Sequence, residues 1–182
     1  MTAQLPDLFA LDGDIHHLAG ARGHGLFGPE DHGFAPSCTT TCCWRGYVAT
    51  YTVLEGRLVL DRLRINNGSW QGREYRCSPP PAFGGRAPIP QEPGSVKFDL
   101  QYAGIALPVA FTGGILIARG FIADLQVHMG FQPAWKYRQV SELIFDDGAL
   151  VSRMDVSDKV GADRERILQE AGRPADAEHG PI

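Results

Sequence analysis

Along most of this chain apolar and polar residues alternate with the period of a β-strand rather than that of a helix. The longest such run is Ile115 to Phe131. Its odd positions, from Ile115 and Ile117 through Leu125, Val127, Met129 and Phe131, are apolar except for Arg119, and its even positions include Asp124, Gln126 and His128. The pattern predicts one long strand, or two strands bent at Gly120, with a core face and a second face that turns polar toward His128.

Three further stretches read as hairpins. Leu8 to Leu18 turns at Asp12-Gly13, an Asp-Gly pair between apolar runs. Trp44 to Leu54 turns at Glu55-Gly56 into Arg57 to Ile65, with Tyr47, Ala49, Tyr51 and Val53 on one face and Val59, Leu63 and Ile65 together on the return strand. Asn66-Asn67-Gly68 closes that strand. Trp135 to Phe145 turns at Asp146-Asp147-Gly148 into Ala149 to Val156, and Val96 to Val109 supplies another strand, with Phe98, Leu100 and Tyr102 on one face.

Between these runs the periodicity stops. Ala19 to Thr41, rich in Gly, His and Pro, reads as a long loop. Cys77 to Gly94 holds six of the 13 prolines and reads as a stiff connection. Only Val160 to Ala171 has helical character, stopped by Gly172 and Pro174, and Arg173 to Ile182 reads as a flexible tail. The fold expected is all-β: an antiparallel sandwich or partly closed barrel of about eight to ten strands in one domain over residues 1–156, then a short C-terminal helix over 157–172.

Composition narrows the function classes. A net charge of -4 and a pI near 5.8, with no basic run, speak against a nucleic-acid binder. The most apolar window, Ile105 to Ala118, is interrupted by Pro108, Gly113 and Gly114 and is too short to span a membrane. The N-terminal residues lack the basic and apolar regions of a signal peptide, and four cysteines are too few for a disulfide scaffold, so a cytoplasmic protein is expected.

Three constellations carry possible chemistry. His24, His32, Cys38, Cys42, Cys43 and Cys77 are zinc-type ligands, but their spacing matches no paired CxxC pattern, so no metal is expected. Small buried thiols and a solvated His-rich loop account for them. Cys42 or Cys43 with His128 or His17 could form a nucleophile and base. Asp124 lies too far along a strand to orient His128, which leaves Glu142 as the better partner. The third set is Trp44, Arg45, Tyr47, Trp135, Lys136, Tyr137 and Arg138. Trp, Tyr and Arg dominate protein–protein hot spots, although rim packing explains such residues equally well. Gly20 to Gly28 lacks the Gly-Lys-Ser/Thr of a phosphate loop, and no motif implies a cofactor.

Cys43 to Leu60 (CWRGYVATYTVLEGRLVL), Phe111 to Ile117 (FTGGILI), Val127 to Phe131 (VHMGF) and Glu142 to Leu150 (ELIFDDGAL) resemble blocks of a family of small uncharacterised bacterial proteins. Those proteins carry Cys-Trp-Arg-Gly-Tyr-x-Ala-Thr-Trp and Tyr-Val-His-Met-Gly-Tyr motifs. The resemblance spans roughly residues 6–156, is patchy between Gly68 and Gly94, and departs at Tyr51 and Phe131. It implies a shared β-rich fold and draws attention to Cys43, Trp44, Arg45, Gly46, Tyr47, His128, Met129 and Gly130.

Two function classes follow. The first is a non-catalytic cytosolic binding protein, immunity-like or accessory, that presents Trp44, Arg45, Tyr47, Trp135 and Tyr137 to another protein or a small molecule. The alternative is a small biosynthetic enzyme with a pocket around His128 as general acid/base, assisted by Glu142, Cys43 or Arg45.

Overall fold

A computed structural model describes residues 2–72, 74–78, 83–89 and 98–172. The fold is mainly β. The described residues form ten strands: β1 (Leu8–Leu11), β2 (Asp14–His24), β3 (Tyr47–Leu54), β4 (Arg57–Ile65), β5 (Gly68–Gln71), β6 (Glu74–Cys77), β7 (Leu100–Pro108), β8 (Thr112–Phe121), β9 (Tyr137–Asp146) and β10 (Ala149–Asp155). One α-helix among the described residues, α1 (Ser157–Glu170), follows.

Eight strands form one sheet in the order β10-β9-β8-β2-β1-β3-β4-β7, and β5 and β6 make a separate hairpin. All neighbours are antiparallel except β1 and β3, which run parallel. The sheet curls until β10 meets β4 through the pairing of Ala149 with Arg57, so that seven strands make a ring flanked by β7. Curling leaves a concave face that can be filled only from inside. Phe9, Tyr51, Leu58, Leu63, Tyr102, Ile115, Ile117, Leu143 and Phe145 fill it in one continuous core.

The three predicted hairpins form with their predicted turns. Tyr47, Ala49, Tyr51 and Val53 all pack in the main core as the alternation requires. On β4 the register shifts at Asp61, where the partners step from Leu60 to Arg62 against both β3 and β7. This bulge reverses the facing of the strand. Leu58 and Leu60 therefore join Leu63 and Ile65 in the core, and Val59, expected beside Leu63, faces the other way.

Two other expectations are corrected. Residues 19–24 belong to β2, paired with β8 from Leu18↔Ile117 to His24↔Thr112, because neighbour pairing satisfies a Gly-rich backbone that carries no hydrophobic signal. Conversely, the run from Ile115 to Phe131 is not one strand. β8 ends at Phe121 just after Gly120, which sits at φ 70°, and Ala123–Leu125 form a 3-10 turn. Over 122–131 no strand among the described residues pairs with the chain, which makes a single bridge from Gly130 to Ala3, and Val127, Met129 and Phe131 are about half exposed. Alternation persisted there without a partner strand, so His128 lies in a loop and not on a sheet face.

Asn66 and Asn67, expected as a turn, are almost fully buried. Asn67 Oδ1 accepts the Ala35 N–H at 2.7 Å, and Asn66 Nδ2 donates to Thr39 Oγ1 at 2.6 Å, so the pair holds the 33–39 loop against the sheet. Helix α1 starts at Ser157, as expected, and lies on the outside of β8 and β9. Val156 and Val160 cover Ala118, Tyr137 and Val140. Arg164 clamps it by donating to the carbonyls of Trp135 (2.7 Å) and Tyr137 (2.6 Å). Half of the Pro-rich connection (79–82 and 90–94) and the whole 173–182 tail lie outside the described residues.

Candidate interaction site

The sequence blocks around Trp44 and His128 meet at one corner of the molecule, and a short N-terminal strap joins them. Gln4 donates its backbone N–H to Gly130 O at 2.8 Å. Its side-chain oxygen accepts the Trp44 N–H at 2.9 Å, and its Nε2 donates to Thr41 O at 2.9 Å. Leu5 donates its backbone N–H to Cys42 O at 2.8 Å. The strap thus satisfies backbone groups of two loops that have no sheet to pair with, as buried polar groups require.

Arg45 is the centre of the corner. Its Nη1 and Nη2 donate to the two oxygens of Asp7 at 2.8 and 2.9 Å, a bidentate pair whose side chains are only 29% and 11% exposed. Asp7 Oδ1 also accepts the Ala49 N–H at 2.8 Å, which fastens the pair to β3. Burial alone would lower the Arg45 pKa, but its bonds and charge attraction to Asp7 win and raise it, so the guanidinium stays charged. Its carbon lies 4.8 Å from the Tyr47 ring centre and 5.3 Å from that of Phe131. Both are within cation–π range. The Nε–H of Arg45 is buried without an acceptor.

Gly46 is needed for this geometry. It adopts φ 75°, and a Cβ there would stand 2.4 Å from the Ser37 carbonyl oxygen. Any other residue would collide with the Ser37 backbone, whose N–H is bonded to Asn66 O. What results is a rigidly mounted apolar corner, with Trp44 51%, Val127 46%, Met129 55% and Phe131 50% exposed beside a charge that is already neutralised. It can bind apolar surface around the closed Arg45–Asp7 pair, and the exposed His128 imidazole stands between Val127 and Met129 in the same loop.

The remaining predicted residues scatter. Tyr47 is partly buried under Arg45, and burial raises its pKa although Arg45 opposes the shift. Trp135 is half-buried in the 3-10 turn Ala134–Lys136 just before β9, with the Lys136 ammonium 5.2 Å from its ring centre, and Arg164 of α1 holds its carbonyl. Tyr137, expected on the surface, is 2% exposed, and its hydroxyl is hydrogen-bonded to His17 Nδ1 at 2.9 Å. It is a packing residue beneath the helix. Cys43 is 2% exposed and its thiol donates to Tyr47 O at 3.3 Å. Burial raises its pKa, against a lowering from Arg45, which suits a packed thiol and not a nucleophile. Glu142 lies on the outward face of β9, lining a groove with Arg22, Gly114 and Leu116. His128, Glu142 and Cys43 therefore do not share that groove, and the acid/base constellation is not assembled.

Among the described residues no group of three or more His, Cys, Asp or Glu side chains could hold a metal ion. His32 instead stacks on Phe27 at 5.1 Å. Cys38 is exposed, Cys42 is intermediate, and the side chain of Cys77 lies outside the described residues.

Sequence reasoning missed Gln4 and Asp7, which support the corner, because isolated polar residues before a strand leave no periodic trace. It also missed a polar concavity at one end of the ring. There the inward faces of four neighbouring strands change from apolar to polar together: Leu18 to His16 and Asp14, Ile117 to Arg119, Leu143 to Ser141 and Gln139, and Leu150 to Arg153 and Asp155. Arg119 as the one polar residue in the odd series of β8 was the visible signal.

Among the described residues no helix is long and apolar enough to cross a membrane. No protein-family profile matches the chain, and no curated protein and no solved structure matches it either.

Proposed function

We propose that this chain is a non-catalytic binding protein, an immunity-like or accessory protein of the bacterial cytoplasm, that docks another protein on the Trp44–Phe131 corner. One observation carries the reading. Four large apolar side chains stand about half exposed on loops that are cross-tied by Gln4 and by the Asp7–Arg45 pair. Exposed apolar groups on a rigid mount lose little conformational entropy on binding, which is what a hot spot needs. The charge at the centre, paired with Asp7, sits against the Tyr47 and Phe131 rings without demanding a charged partner. The enzyme alternative centred on His128 lacks comparable support, since its three residues fall in three different surroundings.

The test is affinity capture from host lysate with the wild type beside a Trp44→Ala/Phe131→Ala double variant, followed by titration of the captured protein in purified form. Truncating two such anchors should weaken binding by at least about thirtyfold, that is by 2 kcal/mol or more. A purified partner that binds both proteins equally would overturn the assignment of the surface. A turnover activity lost on His128→Ala would overturn the class.

A further inference from the structure

The polar concavity is built from inward-facing residues, and this sets it apart from an ordinary solvated rim. On β2, β8, β9 and β10 these positions continue the faces that fill the core. Packing alone would make them apolar. They enclose a cavity of about 280 Å³, just below the range of drug-sized pockets, so it suits a ligand of a few heavy atoms.

Both signs of charge line it. Arg153 donates through Nη1 to Asp12 of the β1–β2 turn at 2.6 Å, and Arg119 bonds Asp14 and Gln139. Asp155 is engaged differently: it accepts the Ser157 N–H at 2.8 Å and pairs with no arginine among the described residues. At its floor the cavity has His16, whose Nδ1 is buried without a hydrogen-bond partner. Leaving such an atom unbonded is unfavourable, and a ligand group that reaches it relieves that penalty.

The chemistry defines the ligand class. A wholly anionic ligand would meet three carboxylates, and a wholly cationic one two guanidinia. A ligand carrying one charge of each sign a few ångströms apart matches both sets. Its ammonium group would take Asp155, whose carboxylate keeps lone pairs beyond the Ser157 bond. Its carboxylate would take the guanidinium fork of Arg153, which has more N–H donors than Asp12 uses. Either group, or a ligand hydroxyl, can satisfy His16, because an imidazole nitrogen accepts when neutral and donates when protonated.

We propose that the concavity between the β1–β2 turn, β8, β9 and β10 is a binding site for a small zwitterion of the α-amino-acid class, held between Asp155 and Arg153 over His16. The experiment is a titration of the full chain with glycine, L-serine, L-alanine and L-glutamine, followed by calorimetry and by the ring nitrogen resonances of His16. Each is run beside its N-acetyl derivative, which lacks the ammonium, and its methyl ester, which lacks the carboxylate. At least one free amino acid should shift the His16 signals, and removing either charge should weaken binding at least tenfold. Ser141→Leu, which fills the cavity without touching an ion pair, should abolish binding while the unfolding midpoint stays. Arg153→Met serves as a second variant with the same expected loss, should Ser141→Leu fail to fold. The proposal is overturned if no free amino acid moves His16 up to about 50 mM, if an acetylated or esterified form binds as well as its parent, or if a folded variant binds like the wild type.

Discussion

The corner at Arg45 and the concavity at Arg119 use the same pair of residue types to opposite ends. At the corner an arginine and an aspartate are both mostly buried, bonded through two nitrogens and tied to the backbone of β3. In the concavity the Arg119–Asp14 and Arg153–Asp12 pairs have side chains between 42% and 64% exposed and reach across strands at a rim. A buried pair that loses one partner leaves a charge it cannot solvate, whereas an exposed pair exchanges its partner for water at little cost. The difference teaches that the first pair is part of the scaffold and that the second leaves its charges available. In one region apolar side chains face solvent around a closed charge; in the other, charged side chains remain open above a closed core.

Deleting one carboxylate in each region separates the two most strongly. Asp7→Ala should destabilise the protein by roughly 3 kcal/mol, since it strands Arg45 and frees the Ala49 N–H, while Asp14→Ala should cost under about 1 kcal/mol. Urea unfolding of both reads the contrast directly, and equal midpoint shifts would erase it. Arg164→Ala removes two charge-assisted bonds on the outside of β9 and should cost about 1–3 kcal/mol, with loss of helix α1 seen as early amide exchange over Ser157–Glu170.

A subtler probe of the corner is thiol chemistry. Burial raises the Cys43 pKa and its side chain is almost inaccessible, so alkylation of the native protein should label exposed Cys38 first and reach Cys43 only on unfolding. Mass mapping of the adducts checks this, and early labelling of Cys43 would mean that the strap opens. The smallest effect concerns His17, which faces outward beside inward-facing His16. Burial lowers the His17 pKa below its ordinary value. The folded state therefore takes up its proton less readily than the unfolded chain, so its contribution to stability is present above the ordinary histidine pKa and is lost as pH falls through and below it. A melting-temperature series against pH should lose part of its acid-side slope in His17→Phe. An unchanged slope would remove His17 as the cause.

Much of the strand layout was legible because it rests on local rules. Asp12-Gly13, Glu55-Gly56 and Asp146-Asp147-Gly148 turn where the left-handed backbone conformations of turn residues allow, and Asp12, Gly13, Glu55, Gly56, Asp147 and Gly148 all adopt positive φ. The Tyr47, Ala49, Tyr51, Val53 face followed from a period of two. The same rule misplaced Val59, because a one-residue bulge at Asp61 inverts everything beyond it. It also extended a strand through Val127 and Met129, because alternation states which residues could pair and not whether a neighbour is present.

The candidate site was half legible. Trp44 and Arg45 could be picked out as residue types suited to binding, and the corner bears them; Tyr137 was indistinguishable from them in sequence and is buried under a helix. That Arg45 meets Asp7 and Phe131, that Gln4 ties both loops, and that four strands turn polar at the same level are consequences of register between distant segments. The sequence by itself determined the turns, the strand periodicity and the all-β class, since these depend on backbone sterics and on neighbours within a few residues. Only the tertiary structure decided which charges are enclosed, which aromatic rings face water and where a cavity forms, because those depend on how far the sheet curls before its edges meet.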